Sequence, residues 1–209
     1  MWRTAAATLI LTALAYAGGA WLTMDFQVWT AEGARRSAVL RSPVAAPVVE
    51  MHGLGTHAQS LPEMLHTAGT ATIVDFIYTR CITVCSVLGG TFQHLQSALR
   101  ADRDAGRPTG RLMSISFDPA NDTPEALAAY GQRFQADASL WRFVAPVREQ
   151  DVQFLLQRYG VVVIPDGLGG YEHNAALLVI DGDGRLVKIY DYDQTSDALA
   201  LARYLAAKA

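Results

Sequence analysis

The chain has two cysteines, and both fall within one stretch, Asp75-Phe-Ile-Tyr-Thr-Arg-Cys81-Ile-Thr-Val-Cys85. Ahead of them Ala71 to Tyr78 is a short apolar run rich in β-branched and aromatic residues, the pattern of a strand buried on both faces. Thr79 and Arg80 interrupt that run, and from Val84 the apolar residues Val87, Leu88, Phe92, Leu95 and Leu99 recur at helical spacing. The switch in period predicts a strand-to-helix turn, with Cys81 at or just before the helix start and Cys85 one turn inside it. Cysteines so placed face the same way, close enough to share a disulfide or one metal ion. The amides and dipole of a helix N-terminus also favour the thiolate, which is both nucleophile and metal ligand. A purely structural disulfide is the bland alternative, but so small a loop removes little chain entropy.

Beyond this turn the pattern alternates. Val48 to His52 reads as a strand entering a Gly-rich hairpin, and Leu61 to His66 as a short helix. The cysteine helix should stop near Gly106, Pro108 and Gly110. Arg111 to Phe117 forms a second core strand, closed by Asp118-Pro-Ala-Asn-Asp122-Thr-Pro-Glu125, in which Thr123 is placed as an N-cap and Pro124 as the first helical residue. A helix over Glu125 to Phe134, a strand over Trp141 to Ala145 and a helix over Glu149 to Tyr159 follow. After the loop Pro165 to Gly170, a strand over Asn174 to Asp181 makes a hairpin with Leu186 to Tyr190, and Ser196 to Ala207 closes the chain as a helix. The expected fold is α/β, a three-layer domain with a mixed central sheet. A reactive dithiol at the C-terminal end of its central strand narrows this to a thioredoxin-like architecture, with one residue more between the cysteines than CxxC.

Thr4 to Met24 is an almost uninterrupted apolar run behind Arg3, matching the roughly 20 residues a helix needs to cross a bilayer. A short basic head before a single span places the N-terminus in the cytoplasm and the domain outside it. Ala15-Tyr16-Ala17 has the small-x-small form of a signal-peptide cleavage site, but the length of the run favours an uncleaved anchor. The expected division is an anchor or signal segment over residues 1–24, a tether over 25–46 and a thioredoxin-like domain over 47–209. This places the protein in the inner membrane as a single-pass chain whose domain faces the periplasm, where dithiols are not kept reduced by default. With 17 Lys and Arg, unclustered, and a net charge of -3, the chain has no nucleic-acid footprint.

A dithiol that holds a metal needs further ligands. His173, in Tyr171-Glu-His173-Asn directly before a core strand, is the candidate, because thioredoxin-like folds bring a loop there against the reactive sulfurs. His52, His57 and His66 read as structural or solvated, and His94 lies too far along the cysteine helix to reach the sulfurs. Two thiolates and an imidazole form a soft, low-coordinate set suited to Cu(I) and, with an added ligand, to Cu(II); a structural zinc would want four closed ligands.

These residues resemble the Sco/SenC family, membrane-anchored thioredoxin-like copper proteins of cytochrome c oxidase assembly. The N-terminal anchor, the run from Asp75 to Cys85, Ser116-Phe-Asp118-Pro-Ala-Asn-Asp122-Thr-Pro124-Glu, and Glu172-His173-Asn174 before Leu177-Leu-Val-Ile-Asp181-Gly-Asp-Gly carry the likeness, from about Pro47 to the end. The resemblance implies that Cys81, Cys85 and His173 are copper ligands and that the partner is the copper-centre subunit of the oxidase or another copper or thiol protein. The family usually has proline after each cysteine and Asp-His-Ser around its histidine; this chain has Ile82, Ser86 and Glu-His-Asn.

The first functional reading is therefore a metallochaperone that passes copper on by ligand exchange. The alternative is a membrane-anchored thiol-disulfide oxidoreductase, in which an exposed Cys81 attacks a partner disulfide and Cys85 resolves the mixed disulfide. A peroxidase is a third idea, for which no residue that would activate one cysteine against peroxide is identifiable.

Overall fold

The computed structural model of the chain describes residues 1–208 apart from 54–55, 67–69 and 82–83, and leaves aside the side chains of 56–57 and 84–86. Two compact units make up the chain, Met1–Arg41 and Ser42–Ala209. In the first, helix α1 (Trp2–Leu22) buries none of its residues and is long and apolar enough to span a bilayer. Helix α2 (Ala31–Arg41) follows, its Glu32 carboxylate bridging Arg35 and Arg36 one turn on.

The second unit is built on an eight-stranded sheet. Strands β1 (Val44–Ala45), β2 (Glu50–Gly53) and β3 (Thr56–Ser60) precede a short helix, α3 (Leu61–Leu65), which is closed at its start by a reciprocal Ser60–Glu63 capping box. Next come β4 (Thr72–Ile77), α4 (Val84–Asp104), β5 (Arg111–Ser116), α5 (Pro124–Arg133), β6 (Trp141–Pro146) and α6 (Asp151–Tyr159). The chain then forms β7 (Val163–Pro165), β8 (Tyr171–His173), β9 (Ala176–Ile180), β10 (Arg185–Asp191) and α7 (Thr195–Lys208). The sheet order is β1-β10-β9-β4-β5-β6-β2-β3, with β4, β5 and β6 parallel and β9 antiparallel to β4.

All six residues of β4 are buried, because helices cover both faces of the sheet's centre. On one face Phe92, Leu95 and Leu99 of α4 and Ala198 and Ala202 of α7 close over Ile73, Leu112, Trp141 and Val179. On the other, Tyr159 of α6 packs its ring 5.9 Å from that of Phe76. Thr123 caps α5 as the sequence predicts, accepting from the Ala126 amide, with Pro124 in the first turn.

The structure departs from the expected pattern near the third core strand. The run expected to start at Asn174 begins at Ala176, and the preceding residues form a separate two-stranded sheet, β7 with β8, whose connection is the Pro165–Gly170 loop. Three-residue strands are too short to give a period-2 signal, so the Gly-rich loop masked the hairpin it closes.

Candidate metal centre

Strand β4 ends in a tight turn that delivers Cys81, whose amide donates to the Tyr78 carbonyl at 3.2 Å. Cys81 is buried, 3% exposed, and so is not the exposed thiol that the oxidoreductase reading expects, because the turn tucks it under the end of the sheet. Helix α4 begins at Val84, later than the sequence predicts, so Cys85 is its second residue rather than one turn inside it; the side chain of Cys85 is outside the described residues, as are Ile82 and Thr83.

The loop after β5 holds this turn in place. Asp122, fully buried, accepts from the Thr79 amide at 3.0 and 3.2 Å, from the Thr79 hydroxyl at 2.6 Å and from the Ser116 hydroxyl at 2.5 Å. Arg133 donates to the Thr79 carbonyl at 3.3 Å, so the backbone of Thr79 is held on both its polar groups. Arg80 is paired with Asp118 at 2.9 Å, and Asn121 braces the same carboxylate. The two residues before Cys81 are thus fixed by side chains some forty positions away in sequence. Burial pushes the Asp122 carboxyl above the usual carboxylate range, and the bonds from Ser116 and Thr79 only partly offset it. The motif Asp118-Pro-x-x-Asp122 was legible in the sequence, but its task was not; the signal was a pair of acids at the end of an apolar core strand, where an unpaired carboxylate would be costly.

His173 stands on β8, half-buried, its ring edge-on to Phe117 at 5.4 Å. Burial lowers its pKa below the ordinary 6.5, which keeps the imidazole neutral, the form that ligates a metal. Tyr78, Phe117 and Tyr171 pack mutually at 5.3 to 5.6 Å, so the strand carrying His173 and the turn carrying Cys81 share one aromatic cluster. A groove of about 270 Å³ opens beside it, between Phe117, Asp118, Glu149 and Tyr171.

A buried sulfur and a neutral imidazole are soft donors, the class that suits copper. Among the described residues no group of three or more His, Cys, Asp or Glu side chains gathers to hold a metal. His94, on α4, lines a polar surface depression with Gln93 and Arg100. His66 follows α3 as its C-cap, exposed, and His52 is half-buried on β2. Deeper in the sheet, Asp75 is 1% exposed on β4, and neither carboxyl oxygen has a hydrogen-bond partner among the described residues. Burial pushes the Asp75 carboxyl up to about 7, an effect that the neighbouring Ser114 hydroxyl, which accepts from Trp141 Nε1, only partly offsets.

Residues 48–206 match the family model described as SCO1/SenC. A protein of Bacillus subtilis named SCO1 protein homolog is 27% identical over 126 residues, which is 59% of this chain and 63% of that protein's length. Among solved structures, a SCO1/SenC family lipoprotein from Bacillus anthracis superposes with a TM-score of 0.69 at 24% identity, covering 80% of this chain and 99% of the other. BsSco, described as a member of the Sco family of cytochrome c oxidase assembly proteins with a disulfide switch, gives a TM-score of 0.67 at 21% identity, over 79% and 95% of the two chains. ScoI of Bradyrhizobium japonicum, solved with copper bound, gives 0.63 at 20% identity, over 77% and 99%. The fold of the second unit is that of these proteins, thioredoxin-like with a mixed sheet.

Proposed function

The chain belongs to the SCO1/SenC family, and on that footing we propose that it is a copper metallochaperone supporting assembly of the copper centre of cytochrome c oxidase. Cys81 and Cys85 bind the ion as thiolates and His173 completes the set. Copper is the cargo, passed by ligand exchange to the thiolates of a partner, with no change in its oxidation state. Binding to the reduced dithiol releases protons, so affinity rises with pH. Helix α1 anchors the chain in the inner membrane with the thioredoxin-like domain on the periplasmic side.

The observation that carries this reading is a soft donor pair, the Cys81 sulfur and an imidazole held neutral by burial, on elements that meet in one aromatic cluster. Copper bound to ScoI of the same fold agrees with it. The test is titration of the reduced full-length chain in detergent with Cu(I) against a competing chelator. One ion per chain is expected, with uptake abolished in Cys85→Ser and weakened in His173→Ala while disulfide exchange stays mostly intact. Reduced protein that takes up no copper yet rapidly reduces a model disulfide would instead make it a thiol-disulfide oxidoreductase.

A further inference from the structure

The hairpin that carries His173 lies outside the main sheet, and two three-residue strands have little stability of their own. On its outer edge a single side-chain oxygen, the Tyr78 hydroxyl, meets both backbone polar groups of Tyr171. The Tyr171 amide donates to the Tyr78 hydroxyl at 3.1 Å, and that hydroxyl donates to the Tyr171 carbonyl at 3.3 Å. Tyr171 stands opposite Pro165, which has no N–H to give, and the cross-strand bonds on either side run from Asp166 to Gly170 and from Asn174 to Val162. The polar groups of Tyr171 therefore face away from β7, and a phenol hydroxyl meets them as a neighbouring strand would.

We propose that Tyr78 is a positioning residue for the candidate metal centre: its hydroxyl latches the His173 strand to the Cys81 turn and so sets how tightly the imidazole holds the ion. This rests on the copper reading above. Tyr78 serves both halves of the site at once. Its carbonyl accepts the Cys81 amide at 3.2 Å, while its hydroxyl holds Tyr171, two residues before His173 and on the same side of β8. The rings of Tyr171 and His173 accordingly both lie against Phe117, at 5.6 and 5.4 Å. Gly170 makes the approach possible, since a Cβ there would fall 2.9 Å from the Tyr78 hydroxyl and 2.6 Å from an Asp166 carboxyl oxygen.

Tyr78→Phe separates the latch from the packing, because the ring and its contacts with Phe117 and Tyr171 remain. In the full-length chain the variant is expected to bind Cu(I) about tenfold more weakly, the scale of one or two net hydrogen bonds. The dithiol should alkylate at the wild-type rate. The loss should disappear when the same change is made in a His173→Ala background, which a general loosening of the fold would not produce. A readout that needs no copper is amide exchange: Tyr171 should exchange about tenfold faster in apo Tyr78→Phe, and Gly170→Ala should have the same effect by crowding the hydroxyl. Wild-type affinity in Tyr78→Phe, the same loss with and without His173, or unchanged exchange at Tyr171 would each overturn the latch. Equal copper retention by wild type and His173→Ala would instead remove His173 as a ligand, a failure of the underlying reading that the exchange measurement tells apart.

Discussion

Asp122 has no exposed surface, yet every bond it accepts serves the chain just before Cys81 or the strand end that faces it. Replacing a carboxylate oxygen by an NH2 group sets a donor against the donors of Thr79 and Ser116. Asp122→Asn is therefore expected to cost about 1–3 kcal/mol of stability by urea denaturation, the range for an unsatisfied buried group. It should also speed alkylation of the buried Cys81, since Thr79 is no longer held. A variant that unfolds at the wild-type urea concentration, with an unchanged alkylation rate, would show that the loop merely fills space. The neighbouring ion pair should matter less, because Arg80 is half-exposed and solvent screens its attraction to Asp118.

Helix α4 contains Gly89 and Gly90, where helix propensity would favour alanine by roughly 1 kcal/mol at each. The two should answer oppositely. A Cβ on Gly89 would meet the Phe134 ring, an approach that backbone or ring must yield to, whereas one on Gly90 meets nothing within 4 Å. Gly90→Ala is expected to raise the midpoint of thermal unfolding. Gly89→Ala is expected to lower stability by about 1–3 kcal/mol, because overpacking against an aromatic ring outweighs propensity. Equal shifts in calorimetry would show that α4 and α5 are not packed through this glycine. Helix α5 offers an independent check, as Thr123→Ala removes its one side-chain cap and should cost about 1 kcal/mol.

At the level of the whole molecule, Asp75 ties stability to pH. Its carboxyl is raised from 3.8 to about 7 by burial, so the folded state holds a proton that the unfolded chain has released. The sign follows: this contribution is complete below about pH 4, is lost as pH rises towards 7, and is absent above it. Ionising the group in the fold costs up to roughly 4 kcal/mol. Burial of His173 acts in the opposite direction below about pH 6.5. Urea midpoints of wild type and Asp75→Asn between pH 5 and pH 8 isolate the first effect: the difference should grow in favour of Asn as pH rises. A pH-independent difference would mean that Asp75 does not titrate in this range. Because Ser42–Ala209 forms a compact unit with its own core, removing residues 1–41 should leave its thermal midpoint within a few degrees of its value in the full chain.

The strands and helices other than the short β7–β8 hairpin, the apolar strand that leads to Cys81, the Thr123 cap and the apolar N-terminal helix are local patterns, written in residues a few positions apart, and the sequence determined them. The family resemblance was likewise readable from motifs. What tied the motifs together was not, because the ties are long in sequence and short in space. Tyr78 reaches Tyr171 across 93 positions and Asp122 reaches Thr79 across 43, and no periodicity marks such a pairing. Only the folded sheet, by placing the ends of β4 and β5 beside the β7–β8 hairpin, decided which hydroxyl and which carboxylate would hold the cysteine turn and the histidine strand.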